Sequence, residues 1–414
     1  MIGYHEALSR LRNGETLLAR DHVALADAGG RILAQAVASP VALPPFDNAA
    51  LDGVALATGG APVPATQAWE LGERIGAGDA APQDGALAWE IMTGAPVPVR
   101  ADTVVPVERI DVLPASPSGA PRIRVQGEVL PGANIRRRGE DVQPGHVVLT
   151  VGRVMDAAAL MLVASLGVER ILVARRPRVA LLATGREIVA AGEPLPAGGI
   201  HDATSPYLAQ VLIAAGAQVQ RIVRVGDDVA MFQAAVDAAL AEGVDLVLST
   251  GAVSKGCYDF VPAALQARGA DVLFHGVAVR PGKPVMAARL REGPMFVGLP
   301  GNPLSTAVGM RFLVEPLLRA WLGLPDETPR QVPLAADCDK RAGLMAAFHG
   351  TLRCDAEGRL RAHVGAAQAS FRVLPFSQSS VWITLPEAAT RIAAGTLVHV
   401  HGHGHLQPLR WEHA

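Results

Sequence analysis

The chain has 414 residues, half of them hydrophobic and 18% charged, with a formal net charge of -2. That balance fits a globular protein of two to four domains. Acids and bases are interspersed, so no basic stripe can neutralise a run of phosphates and a nucleic-acid partner is not expected.

Three cysteines, Cys257, Cys338 and Cys354, form no C-x-x-C pair. Neither a disulfide framework nor a zinc knuckle is supported, and a reducing cytoplasm is implied. Tyr4, Ala7, Leu8 and Leu11 recur at helical spacing among Glu6, Arg10 and Arg12, so the opening residues read as an amphipathic helix rather than a signal peptide.

Residues 41–140 carry short apolar runs broken by GAGD, GAPVP and ASPSGAP, the pattern of a small β domain inserted into the chain. A helix is expected from Met155 to Leu166. The apolar run Ala157 to Val168 is roughly half of the ~20 residues needed to cross a bilayer, so it reads as a core helix and no membrane partner is expected. Arg175, Arg176 and Pro177 mark a boundary.

Residues 178–322 alternate strand-like and helix-like segments: RVALLAT, a helix at Ser205 and Pro206, QVQRIVRV, a helix over MFQAAVDAALAEG, and VDLVLST. Such alternation predicts a parallel sheet wrapped by helices. Ser205 suits an N-cap, Pro206 the first helical position and Gly243 a helix end. GLPDETPRQVP then reads as a linker, and residues 334–400 as a second small β domain.

The expected fold class is therefore α/β and β multidomain. It comprises a linking domain (1–40 with 141–176), a β insertion (41–140), a doubly wound α/β domain (177–323) and a C-terminal β domain (324–414).

Three acids fall just beyond strand ends: Glu187 after RVALLAT, Asp227 after QRIVRV and Asp259 after VDLVLST. The carboxyl ends of strands line the ligand crevice of open α/β sheets. Two such carboxylates at ~5 Å would repel by about 3 kcal/mol at an effective dielectric of about 20. A hard cation such as Mg2+ would relieve that repulsion. Three solvated loop acids are the alternative.

The loop STGAVSKG, which includes Ser249, Gly251 and Ser254, could turn backbone N–H groups toward an anion. It is neither a Walker loop nor part of a dinucleotide fingerprint. MFVGLPGNPLST runs a strand through Pro300 and Gly301 into Asn302 as N-cap and Pro303 as first helical residue, with Ser305 in the first turn, the arrangement of an anion site. VRPGKP adds Arg280 and Lys283 on a stiff turn. An ordinary capped helix beside a surface basic turn is the alternative.

In the β region, PPFDNAALDG, MTGAPVP and NIRRRGED are polar loops able to touch a ligand, although Arg136, Arg137 and Arg138 could equally be a solvated charge run. The tail VHVHGHGHL places His399, His401, His403 and His405 at alternate positions, a possible zinc or nickel set or else an exposed, frayed end.

Read together, PPFDNAALDG, IMTGAPVP, NIRRRGED, ATGREIV, STGAVSKGCYDF, VAVRPGKP and GLPGNPLST resemble, in order and approximate spacing, the molybdopterin molybdenumtransferase family (MoeA in bacteria, the gephyrin C-terminal region in animals). The resemblance spans nearly the whole chain. It implies an elongated homodimer of four-domain chains whose cleft is completed across subunits. The implied enzyme joins molybdate to adenylylated molybdopterin and releases AMP with Mg2+ assistance, and meets the adenylyltransferase and molybdoenzyme acceptors transiently.

By motif, Asp52, Thr93, Asp141, Glu187, Asp227 and Asp259 match the family's active-site positions, with Glu187, Asp227 and Asp259 nearest the metal. Arg280 and Lys283 match its oxyanion contacts, where they would act electrostatically.

Departures accompany the resemblance. Ala49, Leu51 and Val54 replace residues of the first motif, changes expected to affect packing. Gly276 replaces a basic residue. In the last domain His349 and Pro375 stand where the resemblance implies an arginine and a serine that bind molybdate. A carrier that keeps the pterin cleft without inserting metal is thus the alternative function.

Overall fold

The computed structural model describes residues 1–13, 18–83, 85–117, 119–253, 259–291 and 293–413. They divide into two compact units, one of residues 1–22, 30–34 and 172–414, the other of residues 23–29 and 35–171. This differs from the expected four-way division at the N-terminus. The helix Tyr4–Arg12 buries Ala7 and Leu11 in the core under the α/β sheet, so it belongs there rather than with residues 141–171.

In the larger unit six strands form one sheet, in the order Gln218–Val225, Arg178–Thr184, Leu246–Thr250, Met295–Leu299, Met286–Arg289 and Asp271–His275. The first four are parallel, and Met286–Arg289 is antiparallel to both its neighbours. Central strands read as continuous apolar runs because both faces are covered. Val179, Leu181 and Leu248 pack with Leu208 and Leu212 of the helix Thr204–Ala214 on one face. Ala180, Leu182 and Val247 pack with Phe232 and Val236 of the helix Val229–Ala241 on the other. This is the doubly wound architecture expected.

Local chemistry sets the helix ends. Asp228 accepts from the N–H groups of Ala230 and Met231 at the start of Val229–Ala241, and Gly243 adopts a φ of 69° just past its end. Ser205, the expected cap, is instead a donor inside the next helix upstream. Its N–H bonds to the Asp202 carboxylate at 2.9 Å, and the helix begins at Thr204.

The C-terminal residues of this unit build a seven-stranded sheet. Five strands lie in the order Val279–Arg280, Met345–Cys354, Val381–Leu385, Leu397–His401 and Arg330–Pro333. The first is supplied from within the α/β segment, Val279 pairing with Met345 and Arg280 with Ala346. One face sends Met345, Ala347 and Trp382 into the core shared with the helical run Pro303–Trp321. That run is α-helical to Gly309, π-helical over Met310–Val314 and α-helical again from Glu315. The opposite face closes a core of its own around Phe348, Ile383 and Val398.

The proline-rich stretch expected as a linker is held in place. Arg311 bonds Glu327 at 2.7 Å and Arg319 bonds the Pro325 carbonyl at 2.6 Å. The histidine tail is likewise ordered rather than frayed. His399 stays exposed, but His401 lies edge-on to Phe312, His403 faces the Ser379 carbonyl, and the His405 N–H donates to Glu315. Burial lowers the pKa of His401 and of His405 to about 3, so both are neutral. Among the described residues no three His, Cys, Asp or Glu side chains come close enough to hold a metal.

The smaller unit contains a four-stranded sheet, Arg74–Ile75, Ala88–Ile91, Gly53–Leu56 and Thr103–Pro106, and a three-stranded one, Ala68–Glu70, Arg122–Val125 and Ile110–Leu113. Its helix Ala157–Ser165 is capped by Asp156, which accepts from Ala159 at 2.8 Å. Among the described residues no helix is long and apolar enough to cross a membrane.

Candidate functional site

In the larger unit the loops after three parallel strands meet over the sheet's carboxyl edge. Gly251 adopts a φ of 86°, and a Cβ there would stand 2.8 Å from the Thr184 carbonyl oxygen, so only glycine lets this loop close on the neighbouring strand end. Its N–H donates to the Leu299 carbonyl at 2.9 Å, and a Gly301 Cβ would lie 3.6 Å from its Cα. Glu187 is exposed and folds back, its carboxylate 2.6 Å from where a Gly185 Cβ would be. Asp227 is exposed after the edge strand, and Asp259 is half-buried.

Beyond the fourth strand lies the start of the Pro303 helix. Asn302 occupies the N-cap position without a side-chain cap, which corrects its expected role. Pro303 has no N–H, and the Leu304 N–H is taken by the Ser370 carbonyl at 2.9 Å. The turn Pro281–Pro284 packs on this first helical turn, a Gly282 Cβ falling 3.4 Å from the Ser305 carbonyl oxygen. Arg280 precedes this turn and Lys283 lies within it, both exposed, their side chains with no hydrogen-bond or ion-pair partner among the described residues.

Several expected contacts are buried. Ser249 is fully enclosed in its strand with an unpartnered hydroxyl, and Pro300 and Ser305 are buried too, so a ligand on the edge would meet Gly301 and Asn302 instead. Ser254 lies outside the described residues. Glu187, Asp227 and Asp259 do not form a three-carboxylate metal set by themselves, because no such group exists among the described residues.

In the smaller unit the three polar loops are tied together. Ile135 and Arg136 pair with Ala49 and Asn48. The Ala49 N–H donates to Ala95, and the Val97 N–H donates to Asp47. Asp52 Oδ1 accepts from both the N–H and the hydroxyl of Thr93 at 2.7 Å, and these bonds hold its carboxyl below the usual range. Arg136–Arg138 are no free charge run. Arg137 pairs with Asp47 at 2.7 Å and Arg138 donates its N–H to the same carboxylate and its Nε to the Pro45 carbonyl. Asp141 follows this segment, exposed, its N–H on the Leu43 carbonyl.

Residues 2–167 match the family profile described as MoeA N-terminal region (domain I and II), and residues 180–320 match a probable molybdopterin binding domain. A molybdopterin molybdenumtransferase of Synechococcus elongatus is 36% identical over 392 residues, 92% of this chain and 94% of that protein. The chain belongs to the molybdopterin molybdenumtransferase family. A Bacillus subtilis molybdopterin molybdenumtransferase is 32% identical, covering 96% of this chain and 93% of that one. A crystal structure of a molybdopterin biosynthesis MoeA protein from Pyrococcus horikoshii, 24% identical, has the same fold with a TM-score of 0.76 over 97% of this chain and 99% of that one. Membership makes this chain an enzyme of molybdenum cofactor biosynthesis.

Within a molybdopterin molybdenumtransferase framework the departures acquire physical reasons. Ala49 and Val54 are buried in the β unit's cores and Leu51 packs against one of them, so those changes are matters of packing. Gly276 has a φ of 94°, where a basic side chain would be strained. His349 is fully buried with both ring nitrogens unpartnered, and burial followed by nearby His403 lowers its pKa. It is neutral and enclosed, so it offers an oxyanion no cation. Pro375 sits inside the short helix Val373–Ser377, which packs against the Pro303 helix, and the Ser370 carbonyl just ahead of it accepts from the Leu304 N–H.

Sequence reading missed Asp202, whose buried carboxylate takes the Ser205 N–H and pairs with Arg224 at 3.1 Å. The signal was available as an acid just ahead of a helix, in DATSP.

Proposed function

We propose that the protein takes adenylylated molybdopterin and molybdate, releases AMP and leaves molybdenum on the pterin dithiolene. The observation that carries this reading is the order of charge along the sheet's carboxyl edge. Asp227, Glu187 and Asp259 follow the first three strands, and Arg280 and Lys283 sit on the turn beside the fourth strand's helix. A substrate joining a metal-bound pyrophosphate to an oxyanion needs that polarity. Arg280 and Lys283 would hold molybdate electrostatically, and glycine-closed loops would bring backbone near the pterin phosphate.

The donor set suits Mg2+ only in part. The acids are hard oxygen ligands, and Mg2+ is commonly held by one or two carboxylates with substrate phosphates and water completing its six oxygens. Two of Glu187, Asp227 and Asp259 would supply the protein's share. The ion would neutralise charge at the pyrophosphate link.

The reading extends to a cytoplasmic homodimer that receives its substrate from an adenylyltransferase and passes its product to molybdoenzymes, as the family resemblance implies. Its test is an anaerobic incubation of the purified protein with adenylylated molybdopterin, Mg2+ and molybdate. AMP should appear in proportion to molybdenum retained on the pterin. Tight pterin binding with no AMP release at any molybdate concentration would favour the carrier, which the neutral, enclosed His349 makes the second reading.

A further inference from the structure

We infer that Arg372 is the third cation of the oxyanion site, and so a determinant of its affinity for molybdate; this rests on the reading of that site given above. The start of the Pro303 helix offers an anion little. Its first residue is proline, the Leu304 N–H is bonded to the Ser370 carbonyl, and the Thr306 N–H is bonded to the Asn302 carbonyl. With these two N–H groups taken, side-chain charge must add to whatever the remaining backbone donors give a dianion there.

Among the elements that reach this helix are two loop segments. One is the Pro281–Pro284 turn, which brings Arg280 and Lys283. The other is residues 365–372, pinned at both ends. Gln368 accepts from the His349 N–H and donates to the His349 and Gly365 carbonyls, each at 2.8 Å, while Ser370 accepts from Leu304. The Arg372 N–H closes a turn on the Ala369 carbonyl, so Arg372 leaves the segment two residues after its anchor.

Its guanidinium is exposed and has no carboxylate partner among the described residues; it lies over the ring of Phe371, 5.7 Å from the centroid. A guanidinium resting on an aromatic face keeps its N–H fork free at the edge, the geometry that binds tetrahedral oxyanions by two parallel bonds. His349, at the root of the same segment, cannot act in its stead because it is buried and neutral.

The test is molybdate binding by calorimetry and the molybdate half-saturation of AMP release, for wild type, Arg372→Ala, Arg372→Lys and Arg280→Ala. Arg372→Ala should weaken molybdate about ten-fold in both measurements, with half-saturation for adenylylated molybdopterin and the melting temperature unchanged. Arg372→Lys should recover part of the loss. If Arg280→Ala weakens molybdate while Arg372→Ala does not, the inference falls and the oxyanion reading stands. If neither moves it, both fall.

Discussion

The polar loops of the β unit and the carboxyl edge of the α/β sheet are both rich in charge, but they use it differently. In the β unit nearly every charge is spent on the protein itself: Asp52 on Thr93, Asp47 on Arg137 and Arg138, Glu140 on the Arg137 N–H. On the sheet edge Arg280, Lys283 and Asp227 are exposed and uncommitted. The difference separates a surface whose shape is fixed before any ligand arrives from one whose charges need a ligand to be satisfied. Substitutions in the first should act through structure, and in the second through binding and chemistry.

Gly53→Ala should have the largest effect. A Cβ at Gly53 would overlap the Val105 carbonyl in the adjoining strand, so the four-stranded sheet must distort. Denaturant unfolding should show a loss of about 3 kcal/mol or more; an unchanged midpoint would mean that this unit is less rigid than described. Asp259→Asn should lower AMP release by about a hundred-fold or more with native circular dichroism retained, since a charge is removed at nearly constant volume. Wild-type turnover would take Asp259 out of the site.

The helical run and C-terminal sheet give a pH test. His401 and His405 have folded pKa values depressed to about 3, so their contribution to stability is present above their unfolded value near 6.5 and is lost as pH falls toward 3. Glu315, fully buried, has its carboxyl pushed up to about 8. Its contribution is therefore present below its unfolded value near 4.5 and lost as pH rises through 8. Unfolding midpoints measured against pH should peak near 6.5, and Glu315→Gln should flatten the alkaline side.

Smaller effects sharpen the same contrast. Thr93→Val keeps the N–H bond to Asp52 and removes the hydroxyl bond, so the Asp52 carboxyl should titrate higher by NMR, toward its ordinary value. Pro375→Ser, in a short helix that packs on the Pro303 helix, should lower molybdate half-saturation by a few-fold at most, since serine adds one neutral hydroxyl donor there. An unchanged half-saturation would take residue 375 out of the site.

The α/β layer was legible because RVALLAT, QVQRIVRV and VDLVLST are short apolar or alternating runs separated by capped helices, and local propensity agrees with the buried period there. The β unit was legible from its turns. Hidden were features that depend on distant partners. Nothing local to Val279–Arg280 marks it as a strand of a sheet completed only by its pairing with Met345, far along the chain. Nor does VHVHGHGHL announce that Phe312, Glu315 and Ser379 will enclose its histidines. Ser249 and Ser305 looked available because spacing places residues at a strand end or helix start without saying which side faces solvent.

The strand Val279–Arg280 also bears on how the chain can be cut. A fragment ending near residue 323 would keep this strand but lose its partner, Met345–Cys354. A fragment beginning there would lack the strand and present Met345–Ala346 as a bare edge open to other chains. The turn that carries Arg280 and Lys283 is thus stitched to the C-terminal sheet by backbone pairing, and the last ninety or so residues cannot be removed or exchanged as a module without disturbing Arg280.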